Sequence, residues 1–187
     1  MSRITTGKVR FSFVHVFQPY AAVDNAEPRY SVTILIPKND KATLDAVKKA
    51  MEATLADAVS SVFGGQRPAN PALPLYDGDG LRPNGEEFGP ECEGHYVMTA
   101  ASKQAPEVVD AACQPIISES EVYSGCYGRI SLNFFAYNKA GRKGIGCGLG
   151  NVQKLEDGEH LGNRTTAAQD FGAAASEFSA DAMSILG

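Results

Sequence analysis

The sequence predicts a mainly β domain: an antiparallel barrel of about five strands, with one substantial α-helix and a long Pro/Gly-rich loop. Three observations carry this expectation. Segments rich in β-branched and aromatic residues recur at both ends of the chain, a single stretch changes to helical spacing, and a stretch dense in glycine and proline separates the two halves. The 187 residues suffice for one domain with a real core, so a single unit over 1–161 is expected, followed by an Ala-rich acidic tail over 162–187.

Residues 8–17 (KVRFSFVHVF) and 29–37 (RYSVTILIP) read as two strands joined by a loop containing Pro19, Asp24, Asn25 and Pro28. In the second, Tyr30, Val32, Ile34 and Ile36 form one apolar face, with Arg29, Ser31 and Thr33 on the other. In the first, Val9, Phe11, Phe13 and Phe17 are placed inward against Lys8, Arg10 and Ser12, although Val14 and Val16 break the alternation. After Pro37 the period changes. Leu44, Val47, Met51, Leu55, Ala58 and Val62 step by three and four from a cap at Asn39 or Asp40, which predicts a helix over about 40–63 packed on the sheet or a barrel end.

Residues 64–93 hold five prolines and six glycines and form the long loop. HYVMTAAS (95–102) follows as a third strand and PEVVD (106–110) as a short edge piece. The last two strands are YSGCYGRISLNFFAYN (123–138) and a run from Lys143 to Leu155, joined by a turn at NKAGRK. The first of these has two faces. Cys126, Gly128, Ile130, Leu132, Phe134 and Ala136 want a core, while Tyr123, Tyr127, Arg129, Ser131, Asn133, Phe135 and Tyr137 occupy the other side.

Formal net charge is −5, yet the charges are segregated. Residues 1–38 carry +3 and residues 128–154 carry +5 with no acid, whereas 39–127 and 155–187 carry −8 and −5. Both positive segments are strand-rich. No apolar run is long enough for a membrane span and the first residues lack a signal-peptide pattern, so a soluble cytoplasmic protein is expected. Cys92, Cys113, Cys126 and Cys147 have no C-x-x-C pairing and no histidine at finger spacing. They are expected as reduced thiols and not as zinc ligands.

GIGCGLG in the last strand places Gly144, Gly146, Gly148 and Gly150 at every second residue. The dinucleotide fingerprint needs G-x-G-x-x-G opening a helix, so this pattern marks a strand face cleared of side chains, for barrel curvature or for the close approach of a backbone or a flat ligand. Asp77 and Asp79 in YDGDG miss the calcium-loop pattern and read as turn residues, and His15, His95 and His160 belong to no nucleophile motif. No enzyme, cofactor or metal is therefore expected. Aromatic rings alternating with arginine on a water-facing strand suit single-stranded nucleic acid, whose bases stack and whose phosphates attract Lys and Arg. A subunit interface on the same face, in a structural or assembly protein, is the alternative, and a homo-oligomer stays open. A metal-dependent enzyme built on Asp77 and Asp79 is the remaining rival.

The ordered pieces YSVTILIPK, LYDGDG, EGHYVMTAAS, PEVVD, VYSGCYGRISLNFFAYN and KGIGCGLGNVQKLEDGEHLG resemble a family of bacteriophage single-stranded DNA-binding proteins, formerly a domain of unknown function. The resemblance implies an OB-type barrel and a non-catalytic binder of single-stranded DNA acting in phage replication or recombination, in the host cytoplasm, with phage or host replication proteins as partners. The DNA-binding residues expected on this reading are Tyr123, Tyr127, Phe135 and Tyr137 for stacking, and Arg129, Lys143, Lys8, Arg10 and Arg29 for phosphates. The tail lacks the dense acidic run with terminal aromatic found in many replication single-strand binders; after Arg164 its only acids are Asp170, Glu177 and Asp181.

Overall fold

The computed structural model describes residues 2–162. The expected tail lies outside them beyond its first residue. Among the described residues eight strands and one α-helix occur in the order β1 (Ser2–Thr5), β2 (Val9–Tyr20), β3 (Arg29–Pro37), α1 (Lys41–Ser61), β4 (Leu75–Asp77), β5 (His95–Ser102), β6 (Val108–Val109), β7 (Tyr127–Lys139) and β8 (Arg142–Glu156). Five of the strands close into a ring, β7–β2–β3–β5–β8 and back to β7, which is the five-stranded barrel of an OB-type fold. Every neighbour in the ring is antiparallel except β5–β8, the parallel pair that completes it. β1 adds to β7, β4 to β5 and β6 to β8.

The barrel interior follows from the alternation of the strands. Val9 and Phe11, then Val32, Ile34 and Ile36, Met98 and Ala100, Ile130, Leu132 and Phe134, and Ile145, Cys147 and Leu149 fill one core. The helix closes an end of it with Leu44, Val47, Met51, Leu55 and Ala58, the face the spacing predicts. Asp40 caps it by accepting from the Thr43 amide at 3.1 Å, an interaction worth about 1 kcal/mol. Cys126 and Cys147 are buried as expected, and all four cysteines are free thiols.

One strand assignment is corrected. Phe13, expected inside with Phe11, points outward and is 60% exposed, and Val16 takes the buried position. The β2–β3 register shifts between Ser12 and His15, and Phe13 has φ of 46°. A bulge inserts one residue, which reverses the parity from Phe13 to Val16, and a second register shift follows before Tyr20. The break in alternation at Val14 and Val16 is the sequence trace of this bulge.

Candidate nucleic-acid interface

Strand register places five outward side chains in one row across the barrel. Tyr127 on β7 is opposite Arg10 on β2, Arg10 is opposite Leu35 on β3, Leu35 opposite Val97 on β5, and Val97 opposite Tyr76 on β4. The row has an aromatic at each end and an arginine beside one of them, and between them Leu35 and Val97 are buried beneath the long loop. The next row is Ser12–Thr33–Thr99, in which the Thr33 and Thr99 hydroxyls lie 2.8 Å apart. Neighbouring strands are about 4.8 Å apart, so four steps between Tyr127 and Tyr76 span roughly 19 Å, enough for several nucleotides.

Phe13 stands over these two rows. Its left-handed backbone is strained for a non-glycine residue, by about 1–2 kcal/mol, and the strain holds an aromatic ring out in water. With Tyr76, Phe88 and Arg82 it borders a groove of about 450 Å³ above Leu35, Val97, Thr33 and Thr99. The Arg82 guanidinium lies 5.0 Å from the centre of the Phe88 ring. A second depression of about 670 Å³ continues from Phe13 past Arg10 to Glu159 and His160.

The long loop supplies the far wall. Its 3-10 turn Pro90–Cys92 sets Cys92 on Leu35 and Val97, with Phe88 and Leu161 packed alongside, so a small second core lies outside the barrel. Lys38 ties the loop down: its Nζ lies 2.6 Å from Asp77 Oδ1 and 2.6 Å from Asp79 Oδ2. Asp79 also accepts from the Gly94 amide at 2.9 Å. These hydrogen bonds from Lys38 hold both carboxyls below the usual range and raise the lysine. The two aspartates thus already hold a cationic side chain between them.

The sequence-expected residues are distributed over several sites. Arg10 and Tyr127 lie in the row, with the Arg10 guanidinium 5.4 Å and the Lys8 ammonium 5.8 Å from the Tyr127 ring centre. Arg10 donates to the carbonyls of Gly125, just before β7, and Glu159, just after β8, and so ties these two segments together, while Lys8 pairs with Glu156 at 3.2 Å. Tyr123 stacks on His160 at 3.9 Å between ring centres and carries Lys154 on its ring at 5.5 Å. Its hydroxyl donates to the Gly158 carbonyl at 2.9 Å.

Arg29 is at the β2–β3 hairpin end, opposite Tyr20, with Glu27 4.0 Å away. Arg129 donates to the Thr6 carbonyl on the β1–β7–β8 side. Phe135, Tyr137 and Lys143 lie toward the other end of β7–β8, where Lys143 donates to the Phe63 carbonyl just beyond α1. The glycine alternation is explained there: the Phe135 ring fills the space of a β-carbon at 146, and the Ala72 backbone and Tyr137 hydroxyl fill that at 144.

Four groove residues were not legible as such. Phe13 was hidden by the bulge, and Tyr76, Arg82 and Phe88 sit in the loop, where no periodicity exists to reveal a shared face. Composition alone, two aromatics and an arginine within a long loop, was the available signal.

A closed OB-type barrel with an aromatic and arginine-edged groove across its β2–β3–β5 wall has the architecture of oligonucleotide-binding domains, which use this wall and its bordering loops. The chain belongs to the single-stranded DNA-binding protein family of Enterobacter phage Enc34, whose model matches residues 2–183. The structure of the bacteriophage Enc34 single-stranded DNA-binding protein in complex with single-stranded DNA is 29% identical, with a TM-score of 0.73, covering 86% of this chain and 89% of that one. A protein designated p50 from Acyrthosiphon pisum secondary endosymbiont phage 1 is 23% identical over 176 residues, 90% of this chain and 92% of its own. The single-stranded DNA-binding protein gp2.5 of bacteriophage T7 shares the fold at a TM-score of 0.59 and 15% identity, over 90% of this chain and 93% of that one.

Proposed function

We propose that this protein binds single-stranded DNA with little sequence preference in the groove bordered by Phe13, Tyr76, Arg82 and Phe88 and along the Arg10–Tyr127 end of the row, protecting strands exposed in phage replication or recombination in the host cytoplasm. The observation that carries the reading is the strained, outward Phe13 over that row. Strained backbone positions of this kind gather at binding sites, and this one presents an aromatic ring to solvent. Phe13, Tyr76, Phe88 and Tyr127 offer ring faces for bases, and Arg10, Arg82 and Lys8 offer charge for phosphates. The strands offer the groove apolar groups and hydroxyls, which suits binding without base readout, and the loop adds Asn84 and Glu91 to its lining. Membership of the Enc34 family and likeness to a structure holding single-stranded DNA support the same reading.

The test is fluorescence anisotropy of a labelled oligo-dT of about 30 nucleotides at several salt concentrations, with duplex of equal length as competitor. Expected is tight, salt-sensitive binding that duplex does not displace, weakened by about 1–3 kcal/mol in each of Phe13→Ala and Tyr76→Ala. Absence of binding at low salt overturns the reading. Undiminished affinity in both folded variants removes this groove from it. The β7 aromatic face as a subunit contact would then take its place, detected as a stable oligomer by sedimentation.

A further inference from the structure

Across the barrel from the groove lies a second surface with the chemistry of a phosphate site. In the ring, β3 faces the β7–β8 pair, so the wall made by β1, β7 and β8 is on the opposite side from the row described above. Arg3 on β1 and Arg129 on β7 both line a cleft there of about 260 Å³, together with Thr5, Ser131, Asn151, Gln153 and Cys113, and among the described residues no acid lines it. Both arginines are exposed. Arg3 donates to the Ser131 hydroxyl at 3.5 Å and Arg129 Nε to the Thr6 carbonyl at 3.1 Å, both neutral acceptors.

Among the described residues neither guanidinium has a carboxylate within ion-pair distance. Within the described residues each therefore keeps most of its five N–H donors free and its charge uncompensated. Beyond the cleft the same wall is open: Asn133 is opposite Gly148, which adds no side chain, and Phe135 follows, 40% exposed.

We propose that this wall is a second path for the phosphates of the same single strand, engaged when the strand is long enough to pass around the barrel. The proposal rests on the reading of the protein as a single-strand binder. The groove alone accommodates the roughly 4–16 nucleotides usual for one OB-type domain, so a longer strand must leave it. The arginine pair, Asn133 and the Phe135 ring then supply charge, hydrogen bonds and a stacking surface with no base-specific geometry.

The experiment compares oligo-dT of about 8 and about 40 nucleotides on wild type, R3Q/R129Q and R3K/R129K. Each phosphate neutralised on a single strand contributes about 0.7 to the slope of log affinity against log salt. The glutamine pair is expected to lower the slope for the long strand by about 1.4 and leave the short one unchanged, and the lysine pair to retain most of it. Cys113 gives an independent reading, because it lines the cleft and is the exposed cysteine among the four. Its alkylation should be slowed by the long oligonucleotide and not by the short one.

An unchanged long-strand slope with Cys113 unprotected overturns the second path while leaving the groove intact. A slope that falls equally for both lengths also overturns it, since the cleft would then belong to the primary site. Failure of the wild type to bind either length overturns both readings.

Discussion

The ring of Phe135 occupies the space that a β-carbon at residue 146 would fill, and the two residues are direct cross-strand partners on β7 and β8. Gly146→Ala must therefore displace the ring, at about 1–3 kcal/mol for a forced repacking. The double variant G146A/F135A should recover most of that loss. Denaturant unfolding of the four-member cycle measures the coupling; additive losses would mean that the ring does not rest on the glycine.

Phe13 should be the reverse case, a residue whose removal spares the fold. Phe13→Gly relieves a left-handed strain of about 1–2 kcal/mol and adds a backbone entropy cost of about 0.5–1. Stability is expected to be unchanged or slightly higher, while oligo-dT affinity falls by about 1–3 kcal/mol. Thermal unfolding beside anisotropy checks it, and a clear loss of stability would assign the ring to the fold.

Lys38→Met should release the loop wall. The Gly94 amide, bonded to Asp79, is expected to exchange with solvent faster, with little change in the global unfolding midpoint because the ion pairs are partly exposed. The pH dependence has a defined sign. Asp77 and Asp79 titrate below their unfolded range, so their contribution is present above about pH 4 and is lost as pH falls through the lower folded values. Lys38 is raised, so its contribution is present below its unfolded value of about 10.4 and is lost only as pH rises through the higher folded one. The protection factor of the Gly94 amide, which removes the intrinsic pH dependence of exchange, should fall on acidification and stay flat through neutrality in the wild type, and a protection factor identical in Lys38→Met would exclude the latch.

Thiol titration should find one reactive cysteine in the native protein and four after unfolding. Cys113 is exposed, whereas burial pushes the Cys147 thiol up to about 12 and also raises Cys92 and Cys126. Reaction of more than one thiol under native conditions would mean that the barrel or the outer cluster opens readily.

The sequence by itself determined the five strands of the barrel, the helix and most of the barrel interior, while β1 and β4 fall outside the expected strands. The inward set from Ile130 to Phe134 and the helical face from Leu44 to Ala58 are local patterns, set by the period of two in strands and 3.6 in the helix, and the structure chose Asp40 over Asn39 as the cap. The resemblance carried by the ordered motifs likewise reached the family. What the tertiary structure decided is which outward residues share a surface. Tyr127 and Arg10 were both on the expected list, but their adjacency to Leu35, Val97 and Tyr76 is a matter of strand register, and register is a relation between distant segments. Phe13 was assigned to the wrong side because one inserted residue reverses parity, and Phe88 and Arg82 reach the groove only through a loop with no period of its own. Side-chain alternation is a property of each strand, whereas a binding groove is assembled from several strands and a loop by contacts that no local pattern encodes.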